Sequence, residues 1–317
     1  MVEIGYKLSS EEHRPRDLIA QAMRAEECGF SFAMISDHFH PWINARGQSP
    51  FVWSVIGAIA QATKKLLLGT AVTCPTMRIH PGIIAHAAAT AACMMPGRFI
   101  LGLGAGENLN EHIFGHRWPP ARVRHAMLRE AVEIIRLLWR GKQENFSGEY
   151  YQVENARLYT LPDELPPIAV AAGGANAAKL AAEIGDGFVG TAPEKKLLSA
   201  FSEAGGAGKP CYGELTVCWA EDENKAQQTA YELWPIPGLS GPLLSELALP
   251  AHFEQAANMI DKSAVATTVI CGPDPKRHLE AIKSYAEAGY SHVFVHQIGP
   301  NQEGFFEFYK REILPKV

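Results

Sequence analysis

The 317-residue sequence predicts an α/β fold, a closed (β/α)8 TIM barrel built as one domain over residues 1–317. Three observations carry this prediction. Eight short apolar runs alternate with helical periods, the runs are continuous rather than alternating, and several end in glycine-rich or polar turns. Strand–helix alternation requires parallel strands with right-handed crossovers, and continuous apolar runs mean strands covered on both faces. An open doubly wound sheet meets the same conditions. The count of eight favours closure, and the polar endings fall where barrel active sites lie.

In chain order the predicted strands are VEIGYKL (2–8), FAMIS (32–36), KLLLGTAVTC (65–74), RFILGLGAG (98–106), PIAVAAGG (167–174), GDGFVGT (185–191), CYGELTVCW (211–219) and HVFVHQIG (292–299). A ninth run, TTVICG (267–272), is expected outside the barrel or at its rim. Helical spacing marks residues 17–29, 121–141, 177–185, 224–234 and 275–290, the first stopping at Gly29, a natural C-cap. Segments at about 106–120, 142–166 and 235–266 break the rhythm and are expected as insertions at the C-terminal mouth. FSGEYYQV, in the second of them, reads as a β-hairpin.

Composition narrows the function classes. A net charge of −5 with no Lys/Arg run argues against nucleic acid as the main partner. The apolar stretches are strand-sized, well short of the roughly 18–20 residues of a membrane span. The N-terminal MVEIGYKLSSEEHRPRD has no apolar signal region. Cys28, Cys74, Cys93, Cys211, Cys218 and Cys271 show no CxxC spacing, as expected for reduced thiols of a cytoplasmic protein.

The chemistry concentrates at strand ends. SDHFHPW (36–42) puts an aspartate and two histidines where a buried strand stops. His38 and His40 could ligate a metal, with His296 as a third ligand, which would make a barrel hydrolase; the ligand set is thin. A polar turn with His40 packed under Pro41 and Trp42 is the bland alternative. The remaining reading is acid–base work by His38, oriented by Asp37 if the two face one another, although adjacent strand residues point to opposite sides. In GLGAGENLNEH (102–112) the glycine spacing does not fit a dinucleotide site, and no helix is expected directly after it. Its glycines suit close backbone approach to a flat ligand, and Glu107, enclosed among apolar groups, would be pushed towards its proton-donating form. AAGGANAAKL (171–180) opens a helix after a strand, which serves either a phosphate or a tight βα turn.

Together, SDHFHPW (36–42), LLLGTAV (66–72), GLGAGENLNEH (102–112), LREAVEIIRLLWRG (128–141), FSGEYY (146–151), IAVAAGG (168–174) and GDGFVGT (185–191) resemble the luciferase-like (β/α)8-barrel oxidoreductases. The branch they resemble most is that of the F420-dependent glucose-6-phosphate and alcohol dehydrogenases. The resemblance implies hydride transfer between coenzyme F420, lying across the mouth, and a small organic substrate. It implies His38 as base on a substrate hydroxyl, Glu107 as proton donor to the ring and Trp42 beside the reacting centre. It further implies cofactor contacts from Asp37, Ala71, Val72, Cys74, Gly106, Asn110, Ala172, Gly173, Gly174, Ala175, Asn176 and Thr191, with a cis Ala71–Val72 peptide. A homodimer is the implied assembly.

Two departures qualify the resemblance. The positions matching the three cations that hold a sugar phosphate are Glu194, about Leu244, and Thr268, with Lys195 able to replace one. Each charge-assisted contact contributes roughly 1.5–3 kcal/mol, so glucose 6-phosphate is expected to be a poor substrate. The shortened tail also resembles a sub-branch suspected of using an ordinary flavin, so FMN, with monooxygenase or flavin-reductase chemistry, is the alternative cofactor. A non-catalytic flavin-binding barrel would need neither His38 nor Glu107. Phe39, Trp42, Phe114, Trp118 and Trp219 suggest an aromatic-lined pocket for an alcohol, a sugar without phosphate, or an enone.

Overall fold

Every predicted apolar run forms a strand. The computed structural model describes residues 2–239, 241 and 243–317. Its strands are β1 (Glu3–Leu8), β2 (Phe32–Ile35), β3 (Leu67–Thr70), β4 (Phe99–Leu103), β5 (Glu144–Ser147), β6 (Gln152–Ala156), β7 (Ile168–Ala171), β8 (Gly187–Gly190), β9 (Cys211–Cys218), β10 (Ile270–Cys271) and β11 (His292–Gln297). The order β1-β2-β3-β4-β7-β8-β9-β11 returns to β1, closing an eight-stranded parallel barrel. The surplus run, β10, lies at the rim. Ile270 and Cys271 pair with Val217 and Cys218, beyond the stretch of β9 that pairs with β8.

The period of two sorts strand residues into two cores. Phe32, Met34, Ile100, Ala169, Val189, Tyr212 and Phe294 fill the barrel interior. Their neighbours Ala33, Ile35, Leu101, Val170 and Val295 pack outward against the helices. The interior is not apolar to the top. Lys7, Glu214 and His296, in the inward phase of β1, β9 and β11, form a buried charged layer, with Lys7 Nζ 2.8 Å and His296 Nδ1 3.3 Å from the Glu214 carboxylate. Charges survive burial only when paired, so this layer is built as a set.

The predicted helices appear as Pro15–Cys28, Ala121–Leu138, Ala175–Ile184, Glu223–Leu233 and Pro275–Ala288. Gly29, at φ 93°, closes the first in the left-handed conformation, where its N–H reaches the last carbonyls. Two further crossover helices, Val52–Ala62 and Pro81–Met94, carry small and apolar residues around most of their circumference, so no polar stripe delimits them in the sequence.

Two predicted insertions take clear forms. The β5–β6 hairpin is antiparallel, and the Glu130 carboxylate accepts from the N–H groups of Glu149, Tyr150 and Tyr151 at 2.6, 2.8 and 3.0 Å. The 235–266 segment contributes helices Leu243–Glu246, Pro250–Ala257 and part of Lys262–Thr268; its Ser240 and Pro242 lie outside the described residues. These helices bury a satellite core that includes Trp42, Trp234, Phe253, Val265 and Ile298. Among the described residues no helix is long and apolar enough to cross a membrane.

Candidate active site

Parallel strands bring their C-terminal ends to one rim, so residues 9–11, 37–42, 71–74, 106–110, 172–176 and 191 share a mouth. His38 stands at its centre. Its Nδ1 lies between the His40 carbonyl at 3.1 Å, an acceptor, and Asn110 Nδ2 at 3.2 Å, a donor, while Nε2 is turned to the mouth. Nε2 faces Glu11 Oε1 at 3.5 Å and Glu107 Oε2 at 3.7 Å. An imidazolium formed here would lie between two carboxyl groups. The loop is fixed from both sides. Ser49 Oγ donates to the His38 carbonyl at 2.7 Å, and Asn110 Oδ1 accepts from the Phe39 and His40 amides at 2.9 and 3.1 Å.

Sequence reasoning missed Glu11. Asp37 does not orient His38; it is buried beneath it, with its carboxylate on Arg78 Nη2 at 2.9 Å and Thr73 Oγ1 at 2.8 Å. Glu11 takes that place, buried among the hydroxyls of Ser9, Ser10 and Ser36. Burial alone would raise its pKa. The charges of His38, Lys7 and Arg46 and the Ser36 hydroxyl outweigh that and hold the carboxyl well below the usual range. Glu107 goes the other way. Burial deep in the mouth pushes its pKa up, opposed by His38 and reinforced by Glu11. Its side chain still keeps 34% of its surface accessible, and Asn110 Nδ2 donates to Oε2 at 3.2 Å. One mouth thus holds an anionic carboxylate and a carboxyl inclined to keep its proton.

A second buried cation, Arg78, locks the neighbouring turns. It bridges Asp37 and Glu111, whose Oε2 accepts from the Arg78 backbone N–H at 2.7 Å. The Ala71–Val72 peptide between these turns is cis. The glycines of 102–106 are required by this packing. A Cβ at Gly102 would stand 1.8 Å from the Thr70 carbonyl oxygen, and one at Gly104 2.6 Å from the Val72 side chain. Gly106 adopts φ 83°, and a one-turn helix, Asn108–Glu111, opens right after Glu107, where none was expected. Cys74 is buried beneath Gly106, its Sγ 2.9 Å from Thr76 Oγ1.

The remaining positions divide. Ala71, Val72 and Gly174 are half-buried on the rim, Ala172 is buried, and Gly173, Ala175, Asn176 and Thr191 are exposed there. Helix Ala175–Ile184 opens at this edge, and a Cβ on Gly173 or Gly174 would meet nothing within 4 Å. His40 turns away from His38: its Nδ1–H donates to the Leu109 carbonyl at 2.8 Å and its ring stacks on His112, not under Pro41 and Trp42. The two histidines do not converge on a common point. Trp42 stands 5.3 Å from the His38 ring, backed by Phe253 at 5.1 Å and Trp234 at 6.4 Å. Trp219 is not part of this wall. It packs outward on Phe308 and Gly304. Phe39 and Phe114 are exposed, and Trp118 lies beside Gly106.

Comparison with known proteins agrees with this geometry. The luciferase-like monooxygenase family matches residues 1–292. The F420-dependent glucose-6-phosphate dehydrogenase of Beutenbergia cavernae is 36% identical over 329 residues, spanning 100% of this chain and 98% of its own. That of Mycolicibacterium smegmatis is 35% identical over 330 residues, with coverage of 100% and 98%. An F420-dependent secondary alcohol dehydrogenase, solved in complex with an F420-acetone adduct, superposes with a TM-score of 0.92 at 33% identity, covering 99% of this chain and 98% of that one.

Proposed function

The chain belongs to the luciferase-like monooxygenase family, and from that premise we propose that it oxidises a small uncharged alcohol, or reduces the matching carbonyl compound, with His38 and Glu107 handling the protons. It is an oxidoreductase, and its cofactor is coenzyme F420. The observation that carries the reading is the position of His38 Nε2, at the mouth between Glu11 and Glu107.

The residues fit a deazaflavin. An accessible carboxyl lies at the centre of the mouth, and an open helix start with two unobstructed glycines lies at its edge. Ala71 and Val72 would back the ring, while the open backbone N–H groups of residues 173–176 suit its phosphate. When bound, the deazaflavin supplies a hydride acceptor and donor at C5. His38 Nε2 takes the proton of the substrate hydroxyl, and the Glu11 carboxylate stabilises the resulting imidazolium. Glu107, protonated beyond the usual carboxyl range by its burial, gives a proton to the ring side of the mouth. Trp42, Trp234 and Phe253 exclude water and favour a substrate with an apolar body.

A sugar phosphate would find at most one of its three cations, from Lys195. Glu194 is acidic, Leu244 is packed into the satellite core, and the Thr268 hydroxyl donates to the Val265 carbonyl of its own helix at 3.0 Å. The relatives named for glucose 6-phosphate make the direct comparison decisive. Purified protein is mixed with F420 and either 2-propanol or glucose 6-phosphate, and loss of the oxidised deazaflavin absorbance is followed. Turnover with the alcohol and none with micromolar sugar phosphate is expected. Saturable micromolar turnover of glucose 6-phosphate would overturn the substrate assignment.

A further inference from the structure

Next to the acid–base pair lies a buried cation whose hydrogen bonds are unevenly spent. Arg46 ends the 3₁₀ turn Asn44–Arg46, which follows the His38 loop, and 0% of its side chain is accessible. Its Nη2 alone meets Ser9 Oγ at 2.6 Å, Glu12 Oε2 at 3.0 Å and His296 Nε2 at 3.3 Å. Among the described residues its Nε and Nη1 have no hydrogen-bond partner. An arginine kept only to neutralise a buried acid would set its fork on both carboxylate oxygens. Here Glu12 gives one oxygen to Arg46 and the other to the Gly299 N–H at 2.7 Å. The guanidinium lies instead over the Trp234 ring, 4.3 Å from its centroid.

Both sets of contacts lead to the mouth. An arginine N–H only donates, so Ser9 Oγ accepts from Arg46 and its own hydrogen goes to Glu11 Oε2 at 3.2 Å. The other oxygen of that carboxylate faces His38 Nε2 at 3.5 Å. A chain of fixed direction, Arg46 to Ser9 to Glu11, therefore ends on the acid beside His38. On its other side Arg46 backs Trp234, which stands edge-on to Trp42 at 6.4 Å, and Trp42 lies 5.3 Å from the His38 ring. Trp234 Nε1 is itself buried and without a hydrogen bond among the described residues. Packing alone fixes that ring, and a desolvated cation over an indole face is the strongest contact of its kind.

We propose that Arg46 is a positioning residue for both halves of the site: through Ser9 it fixes the Glu11 carboxylate beside His38, and with its guanidinium it holds Trp234 in the substrate wall. Fully buried, it touches neither substrate nor cofactor. The role rests on the functional reading above, which gives His38 the substrate proton and the aromatic wall the substrate body. The two effects are separable. Glu11 needs a charge and a donor to Ser9, which a lysine also supplies, whereas the stack on Trp234 needs the planar guanidinium. The first effect belongs to kcat and the second to KM for the alcohol.

The placement is read from crystal structures of the full chain, wild type and Arg46→Gln, without cofactor. The Glu11 carboxylate is expected to move by more than about 1 Å from its place beside His38, and the Trp234 ring to turn. Both groups unmoved within about 0.5 Å overturns the proposal. Steady-state oxidation of 2-propanol with F420 reads the consequence. Arg46→Gln is expected to lower kcat by roughly 10- to 100-fold and to raise KM by roughly 3- to 10-fold. Arg46→Lys is expected to return kcat to within about threefold of wild type while KM stays raised. In a Glu11→Gln background the kcat loss is expected to vanish and the KM rise to persist. Equal kcat losses with and without Glu11 make Arg46 a structural cation and overturn the role. Ser9→Ala cuts only the link to Glu11 and decides the matter if Arg46→Gln does not fold. A kcat lowered by roughly 3- to 10-fold at unchanged KM is expected there, and an unchanged kcat overturns the proposal. Wild type that turns over no alcohol with F420 overturns the functional reading alone, and the crystal structures, which need no cofactor, still decide the placement.

Discussion

Replacing Glu11 by Gln probes the part of the site that sets the proton acceptor. The Glu11 carboxylate lies 3.5 Å from His38 Nε2 and is buried. At that distance, and with an effective dielectric near 20, a unit charge pair interacts by about 5 kcal/mol. That figure bounds the effect from above. Glu107 remains at 3.7 Å to carry part of the load, and Lys7 and Arg46 already draw on the Glu11 charge. A loss of about 2–4 kcal/mol of imidazolium stabilisation is the reasonable share, equal to a roughly 30- to 1,000-fold drop in kcat for alcohol oxidation.

The assay is single-turnover bleaching of oxidised F420 with saturating alcohol, alongside F420 affinity by fluorescence and Tm by circular dichroism. Affinity is expected to hold within about twofold, since Glu11 lies beneath His38 rather than on the rim. The variant His38→Ala supplies the second leg of a double-mutant cycle. If Glu11 acts through His38, the double variant is no slower than His38→Ala alone. Fully multiplicative losses, or an E11Q enzyme within threefold of wild type, would refute the assignment and leave Glu11 a structural acid.

Two further outcomes follow from the same electrostatics. Glu107→Gln is expected to cut turnover by about 10²- to 10⁴-fold with F420 still bound. Because the Glu107 pKa is raised, wild-type oxidation should fall as pH climbs through it, and this basic limb should vanish from the residual E107Q profile. Full activity in E107Q would remove Glu107 from the reaction. The second outcome concerns stability in acid. Burial works against the Glu214 carboxylate, but Lys7 and His296 hold its pKa down to about 2, against an ordinary value of 4.5. Its stabilisation is therefore complete above about pH 4.5 and is lost as pH falls towards 2, a change on the order of 3 kcal/mol. Urea midpoints measured across that window should fall more steeply for wild type than for Glu214→Gln; parallel slopes would show that the pair contributes nothing specific.

What the sequence disclosed and what it withheld follow from how each signal is generated. The eight barrel strands were legible because burial on both faces leaves a local mark, a continuous apolar run, and His38 and Glu107 because each sits at the end of such a run. Glu11 follows β1 by three residues and obeys the same rule, yet SSEEH looks like an ordinary solvated turn. Its role depends on β1 lying beside β2 in a closed sheet, a long-range fact with no local trace. Arg78 is hidden in the same way: its acids, Asp37 and Glu111, lie 41 and 33 positions away. Lys7, Glu214 and His296 did leave a trace, since a charged or titratable side chain inside an apolar strand of a barrel must find an opposite number across the interior. Read that way, three interrupted strands would have predicted the charged layer and its neighbours. The aromatic wall could not be recovered by the same rule, because Trp234 and Phe253 come from the cap segment, whose helices are placed by contact with Trp42 rather than by a period of their own. The half of the mouth proposed to handle protons is therefore encoded by strand position, and the half proposed to face the substrate by packing. The same barrel can keep the first while exchanging the second, and under the proposed substrate assignment Glu194, Leu244 and Thr268 belong to the part that is exchanged.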